Sequence, residues 1–254
     1  MTNMEQYNQF KSEYDREGFV IVPKFLPDAD LAELTENINR FIREVVPTMP
    51  DGEAFYQDKT RPETLKQVHH MDIDPFFAEY RQHPRWLAFA HAMLGEAAKA
   101  KEPEWFNKPP ETNHPTPPHQ DNYYFCLEPP QVLTMWVALD KVDEENGCLR
   151  YVAGSHLLDT RTHGSTNVLG FSQSINDYGP DDTAKEAIIR LERGDMACHH
   201  GQLIHRADPN RSSSRHRRSF AMVLVGDSAQ QDEQRFARYI AARDSQHTDQ
   251  GLKS

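Results

Sequence analysis

The apolar positions change their rhythm near residue 100. Before it they recur at helical spacing, so residues 4–16 and 27–45 predict helices. The second opens at Pro27-Asp28 and carries Leu31, Leu34, Ile38, Phe41, Ile42 and Val45 on one stripe. The short run GFVIVP between them predicts a strand. A further helical region spans about 74–95, broken near His83-Pro84 and closed by Leu94-Gly95. After residue 100, segments rich in β-branched and aromatic residues alternate with proline, glycine and acidic turns: EWFNK, NYYFC, VLTMWVAL, CLRYV, AIIRL, MACHH and FAMVLVG. Short strands at that spacing predict a sandwich or barrel. Residues 157–184 show little periodicity and read as a long loop. Such a loop in a compact domain is more often a lid or binding loop than an accident, and Gly164, Gly170 and Gly179 are its candidate hinges. A last helix is expected over about 229–243, before a polar tail.

A single domain accommodates 254 residues. It divides into a mostly helical part over 1–97, a β core over 98–228 interrupted by the 157–184 insertion, and a helix and tail over 229–254. The balance of 28 basic against 39 acidic side chains, a net charge of -11, opposes a nucleic acid backbone or an anionic membrane surface as partner. A small-molecule partner is the expectation that remains. Cys126, Cys148 and Cys198 are odd in number and lack CxxC spacing, so they read as core thiols. The opening residues are polar and no later segment approaches 18 consecutive apolar residues, which points to the cytoplasm.

The candidate chemistry begins in HQDNYYF, residues 119–125. In an extended chain residues 119 and 121 point the same way, so an imidazole and a carboxylate can meet one ion. About eighty residues on, CHHGQLIHRADPNRSSSRHRRSF offers a third ligand. His205 is the choice and His200 the competitor, while His199 and His200 can equally be strand lining. Two histidines and one carboxylate on one face of an octahedral iron leave three positions open for cosubstrate and dioxygen.

HQD, then LTMWVALDKVDEENGCLRYVAGSH, then GQLIHRADPNRSSSRHRR together resemble the phytanoyl-CoA dioxygenase (PhyH) family of Fe(II)/2-oxoglutarate oxygenases. GFVIVPKFLPDADLAEL resembles that family's N-terminal opening, so the likeness covers nearly the whole chain. The resemblance implies a mainly β fold with flanking helices, built on a double-stranded β-helix (jelly-roll, cupin-like) core with iron at its open end. It implies His119, Asp121 and His205 as ligands of Fe(II), with 2-oxoglutarate and O2 as cosubstrates. The arginine that pairs with 2-oxoglutarate is Arg217 or Arg218 by position after PN. If SRHRRSF is a strand, Arg217 and Ser219 share one face and Arg218 takes the other, which favours an Arg217–Ser219 clamp. Thr134 and Trp136 share a face of their strand, and Trp136 matches a family position lining the cosubstrate pocket. Asn107 matches a polar position near 2-oxoglutarate.

The remaining site residues are read from placement. Lys108 is expected to meet substrate, Tyr123 to face inward by its parity with His119 and Asp121, and His70 to border the site. His156, in the GSH turn, is a structural residue in the family. The implied reaction is hydroxylation of a C–H bond of a small molecule, releasing succinate and CO2. Halogenating relatives replace the carboxylate by a small residue, so Asp121 points to hydroxylation. Two other classes share the motif: a metal-dependent cupin-type hydrolase or isomerase without 2-oxoglutarate, and a silent binding protein. The first would lack the arginine clamp, and the intact set of His119, Asp121, His205 and Arg217 argues against the second. A small organophosphonate or an amino-acid-like compound is the substrate that Lys108 and the other basic residues suggest.

Overall fold

The computed structural model describes residues 4–50, 52–112, 114–168 and 171–249. Its strands are β1 (Phe19–Val22), β2 (Ala54–Tyr56), β3 (Leu65–Val68), β4 (Ala98–Ala100), β5 (Glu104–Lys108), β6 (Thr116–His119), β7 (Leu127–Glu128) and β8 (Val132–Ala138). They continue with β9 (Leu149–Val152), β10 (His163–Val168), β11 (Phe171–Ile175), β12 (Glu186–Ile189), β13 (Met196–His200), β14 (His205–Ala207), β15 (Arg217–Gly226) and β16 (Gln230–Gln231). The α-helices are α1 (Lys11–Glu17), α2 (Asp28–Glu44), α3 (Pro75–Tyr80), α4 (Pro84–Leu94), α5 (Asp121–Phe125), α6 (Pro180–Thr183) and α7 (Glu233–Asp249). None of the described helices is long and apolar enough to cross a membrane.

The strands form two principal sheets. The larger runs β1-β13-β8-β15-β5-β3-β2, with β4 also on β15, and the smaller runs β12-β9-β14-β6. Every pairing is antiparallel, as a jelly roll requires. The helices cover the outer face of the larger sheet. There α2 buries Leu31, Leu34, Ile38 and Phe41, and α4 buries Trp86, Phe89 and Met93, in one cluster with Met135, Val137, Phe220 and Met222. Each such side chain contributes on the order of 1.5–3 kcal/mol by leaving water. Asp74 caps α3 by accepting from Phe76 N and takes a bidentate pair from Arg40 of α2 at 2.7 and 2.8 Å, tying the two helices together.

The inner faces of the two sheets meet in a second cluster that includes Phe19, Trp136, Ala138, Leu149, Tyr151, Leu203 and Ala221. Strand β8 is thus buried on both faces, Met135 and Val137 against the helices and Trp136 and Ala138 between the sheets. All three cysteines are buried and none forms a disulfide.

Two expectations need correction. NYYFC is not a strand: residues 121–125 turn into α5, and Cys126 ends it with φ at 52°. Aromatic residues favour strands in general, but here Asn122 overrides them, its side chain closing the turn on both the N–H and the carbonyl of Leu127. The 157–184 segment is not structureless either. It holds the hairpin β10–β11 and the helical turn α6, pinned by Arg161 to Asp177 and Asp182. Of its proposed hinges Gly170 lies outside the described residues.

Candidate active site

The two histidines of the motif sit on neighbouring strands. Because β14 pairs with β6, His205 stands directly opposite His119, and their ring centroids are 4.1 Å apart. Gln120 is still extended, so Asp121, the first residue of α5, points to the same side as His119. Its Oδ1 lies 3.6 Å from His119 Nε2 and 3.5 Å from His205 Nε2, close enough for one ion to meet all three. Each imidazole is oriented by a carbonyl two residues before it: His119 Nδ1 donates to Pro117 O at 2.8 Å and His205 Nδ1 to Leu203 O at 2.9 Å. A carbonyl only accepts, so Nδ1 carries the proton and Nε2 keeps its lone pair for a metal. Burial pushes both histidines below their ordinary pKa, keeping them in the neutral form a ligand needs. Burial would raise Asp121, but His205, His199 and His119 outweigh it and hold the carboxyl well below the usual range.

The other carboxylate oxygen is held from the larger sheet. Asp121 Oδ2 accepts from Thr134 Oγ1 at 2.7 Å and from His199 Nε2 at 3.1 Å. Thr134 and His199 are themselves a cross-strand pair of β8 and β13. His199 Nδ1 accepts in turn from the Tyr151 hydroxyl at 2.9 Å, which reaches across from the smaller sheet. Strand alternation places His199 inward beside Ala197, whereas His200 faces out towards Tyr14 and His156.

A cavity of about 280 Å³ opens from this cluster. At one end stands Arg217, 96% buried, its guanidinium 5.2 Å from the centroid of the Trp136 ring. Its Nε and the Ser219 hydroxyl are buried without a hydrogen-bond partner. Burial pushes Arg217 down to about 10, which leaves it charged at neutral pH. Lys66, Lys108 and Arg217 also line a smaller adjoining recess. A buried cation with orphaned donors is costly unless an anion completes it. Arg218 lies on the opposite face of β15, bound to Asp140 through Nε at 2.9 Å and Nη2 at 2.6 Å.

Several expected site residues stand elsewhere. Asn107 opposes Arg218 rather than Arg217; its amide donates to Leu65 O and its carbonyl meets His216, so it is committed away from the larger cavity. The buried ammonium of Lys108 is spent on backbone carbonyls, Asp208 O at 2.7 Å first, and does not border that cavity. Thr134 borders it, but its hydroxyl serves Asp121. The parity of Tyr123 with His119 fails because the strand ends before it. Its ring stacks on His163 at 3.9 Å and its hydroxyl donates to Gln173, leaving Tyr124 to line the cavity. His70 is half exposed beside Glu53, and its neighbour His69 is the histidine that borders the site.

Sequence reasoning took His199 only as strand lining and His69, with His70, as a surface or substrate-facing residue, and assigned no role to Glu104 or Tyr239. His199 was accessible from the alternation of MACHH. Glu104 and His69 meet only because β3 and β5 are neighbours, and Tyr239 arrives on α7, far along the chain. The middle residue of HQD is also occupied: the Gln120 side chain accepts from Arg161 N and donates to Gln202 O, both at 2.8 Å, and its backbone N–H meets His163 Nε2.

Known proteins resemble this chain in sequence and in fold. Bovine peroxisomal phytanoyl-CoA dioxygenase is 26% identical over 217 residues, covering 78% of this chain and 63% of that protein. The phytanoyl-CoA dioxygenase of Arabidopsis thaliana is 28% identical over 155 residues, covering 60% and 54%. The chain therefore spans less than two thirds of these relatives. Among solved structures, the epimerase SnoN in complex with Fe3+, alpha ketoglutarate and nogalamycin RO superposes with a TM-score of 0.71 at 24% identity, covering 89% of this chain and 86% of that one. EctD from S. alaskensis with 2-oxoglutarate and 5-hydroxyectoine gives a TM-score of 0.69 at 15% identity, covering 87% and 76%. At these identities the structures establish the shared fold. The sequence profile of phytanoyl-CoA dioxygenase (PhyH) matches residues 14–219, which include every candidate metal ligand and the buried arginine, and so the chain belongs to the phytanoyl-CoA dioxygenase family.

Proposed function

We propose that this protein is an Fe(II)- and 2-oxoglutarate-dependent oxygenase that hydroxylates a C–H bond of a small molecule, with succinate and CO2 as co-products. The observation that carries the reading is one cavity with a buried His119–Asp121–His205 group at one part and an orphaned, charged Arg217 at another. The donor set fits iron, since two neutral imidazoles and one carboxylate on a common side make the facial arrangement of non-heme oxygenases. The buried Arg217 Nε and Ser219 hydroxyl fit the distal carboxylate of 2-oxoglutarate. A planar guanidinium can hold that group with two hydrogen bonds, and the Trp136 ring limits where it can lie. When bound, iron and 2-oxoglutarate supply the oxidising chemistry with dioxygen. The chain's own residues hold the donors in place and keep Asp121 ionised. A cupin-type hydrolase or isomerase needs the same metal ligands but not a cation buried at that depth, so 2-oxoglutarate binding separates the two readings.

Anaerobic addition of Fe(II) and 2-oxoglutarate is expected to produce a weak visible charge-transfer band, absent in His119→Ala and His205→Ala. Arg217→Met is expected to keep iron binding while weakening 2-oxoglutarate roughly 30-fold to several thousand-fold. Arg218→Met should leave that affinity nearly unchanged. A band that survives both histidine changes, or a collapse confined to Arg218→Met, overturns the assignment. Two solved proteins of this fold are the epimerase SnoN and the carbocyclase SnoK from nogalamycin biosynthesis. Mass analysis of the product, with incorporation of one oxygen expected, therefore separates hydroxylation from rearrangement.

A further inference from the structure

The charges that line the cavity limit what can share it with 2-oxoglutarate. Arg206 borders it but spends all three guanidinium nitrogens, Nε and Nη2 on Glu186 and Nη1 on Asp208. His69 borders it with Nδ1 on Glu104 at 2.6 Å. Arg217 and the nearby Lys66 stand at the end assigned above to the cosubstrate. Among the described lining residues no cation is left over for a second anion, and the net charge of -11 works against a polyanion at the mouth.

What remains towards the substrate is an acceptor and an apolar wall. Glu104 is one-quarter exposed, and among the described residues His69 is the only hydrogen-bonding partner of its carboxylate, so one oxygen is open to a ligand donor. Strand alternation turns Glu104 inward with Phe106, at the level of Ala221 and Trp136, one inward-facing step along the larger sheet from Thr134, which holds Asp121. Tyr124, Phe125 and Tyr239 also line the cavity. The cavity of about 280 Å³ is at the lower end for ligand sites and must also hold 2-oxoglutarate.

We propose that the primary substrate is a compact molecule that offers a hydroxyl or ammonium donor to Glu104 and an apolar face to Phe106, Tyr124, Phe125 and Tyr239, and that it carries no phosphate, phosphonate or CoA group. The proposal rests on the oxygenase reading and names the substrate class for that site. It replaces the organophosphonate expected from the basic residues, because the structure shows Lys108 and Arg206 already committed.

The test is a panel of small amines, polyols and amino alcohols, alkyl phosphonates and acyl-CoA thioesters. Each is added to the Fe(II) enzyme and read twice, by acceleration of succinate release and by thermal shift without 2-oxoglutarate. Stimulation and thermal shift are expected only from the amines, polyols and amino alcohols. Glu104→Gln should raise KM for a stimulating amine roughly tenfold or more, and for a polyol only a few-fold, because an amide still accepts a hydrogen bond but loses the charge. Glu104→Asp should recover part of the loss. Stimulation by a phosphonate or acyl-CoA member, an unchanged KM in Glu104→Gln, or a hydroxyl and amino panel silent in both readouts overturns the proposal. Thermal shifts of the expected pattern without any succinate release would uphold the substrate class and count against the oxygenase reading instead.

Discussion

At the residue scale the decisive arrangement is around a single carboxylate. One oxygen of Asp121 faces the two histidines and the other is fastened by Thr134 and His199, with Tyr151 behind His199. A carboxylate left free to rotate would present its lone pairs to the ion only part of the time, so these outer contacts set metal affinity. Fe(II) affinity, measured by competition with a chromogenic chelator, is expected to fall roughly 10- to 100-fold in His199→Ala. It should fall less in His199→Gln, whose amide can still donate to Asp121. Thr134→Val should show the same sign. Affinities unchanged in all three would reduce His199 to a packing residue.

At the scale of elements, β15 and the β10–β11 hairpin divide the work. β15 packs Phe220, Met222 and Leu224 against the helices while its alternate residues, Arg217, Ser219 and Ala221, face the other sheet. The hairpin forms a wall beside the metal group. β11 lies next to β6, His163 stacks on Tyr123, and Gln173 receives the hydroxyls of both Tyr123 and Tyr124, through its side chain and its backbone carbonyl respectively. Replacing residues 163–175 by a short linker is therefore expected to spare iron binding. It should also raise the fraction of succinate formed without product, as water reaches the cavity past Tyr124. Full coupling in that variant would make the hairpin an ornament.

At the scale of the whole molecule, buried histidines make folding sensitive to acid. Burial pushes both His163 and His200 down to about 4, helped at His200 by His156 and at His163 by His119. In the unfolded chain they titrate near 6.5. As pH falls from about 6.5 towards 4 the unfolded state takes up protons that the folded state refuses, so stability is present above that window and lost through it. His69 works the other way. Burial lowers its pKa, but Glu104 outweighs this and raises it, adding stability below about 6.5 that is lost at higher pH. With His119 and His205 also held low, the losses outnumber this gain. The urea midpoint of the metal-free protein is expected to decline between about pH 6.5 and 4.5; a flat or rising midpoint would contradict it.

Elements whose signal is local can be read from the residues in order. Helix α2 was legible from Leu31, Leu34, Ile38 and Phe41, β8 from its apolar run, and the pairing of His119 with Asp121 from the two-residue period of an extended chain, which holds as far as Gln120. The same period favoured Arg217 over Arg218, and the structure places Arg218 on Asp140. Whatever depends on a partner far along the chain is set by how the strands and helices come together. Asn122 turned an aromatic run into a helix and took Tyr123 off the expected face. The neighbouring of β3 and β5 made His69, not His70, the partner of Glu104. The register of β13 against β8 set His199 beside Thr134, where the two hold Asp121. Alternation tells which way a side chain points, but not which strand lies opposite, and at this site the strand opposite supplies most of the chemistry.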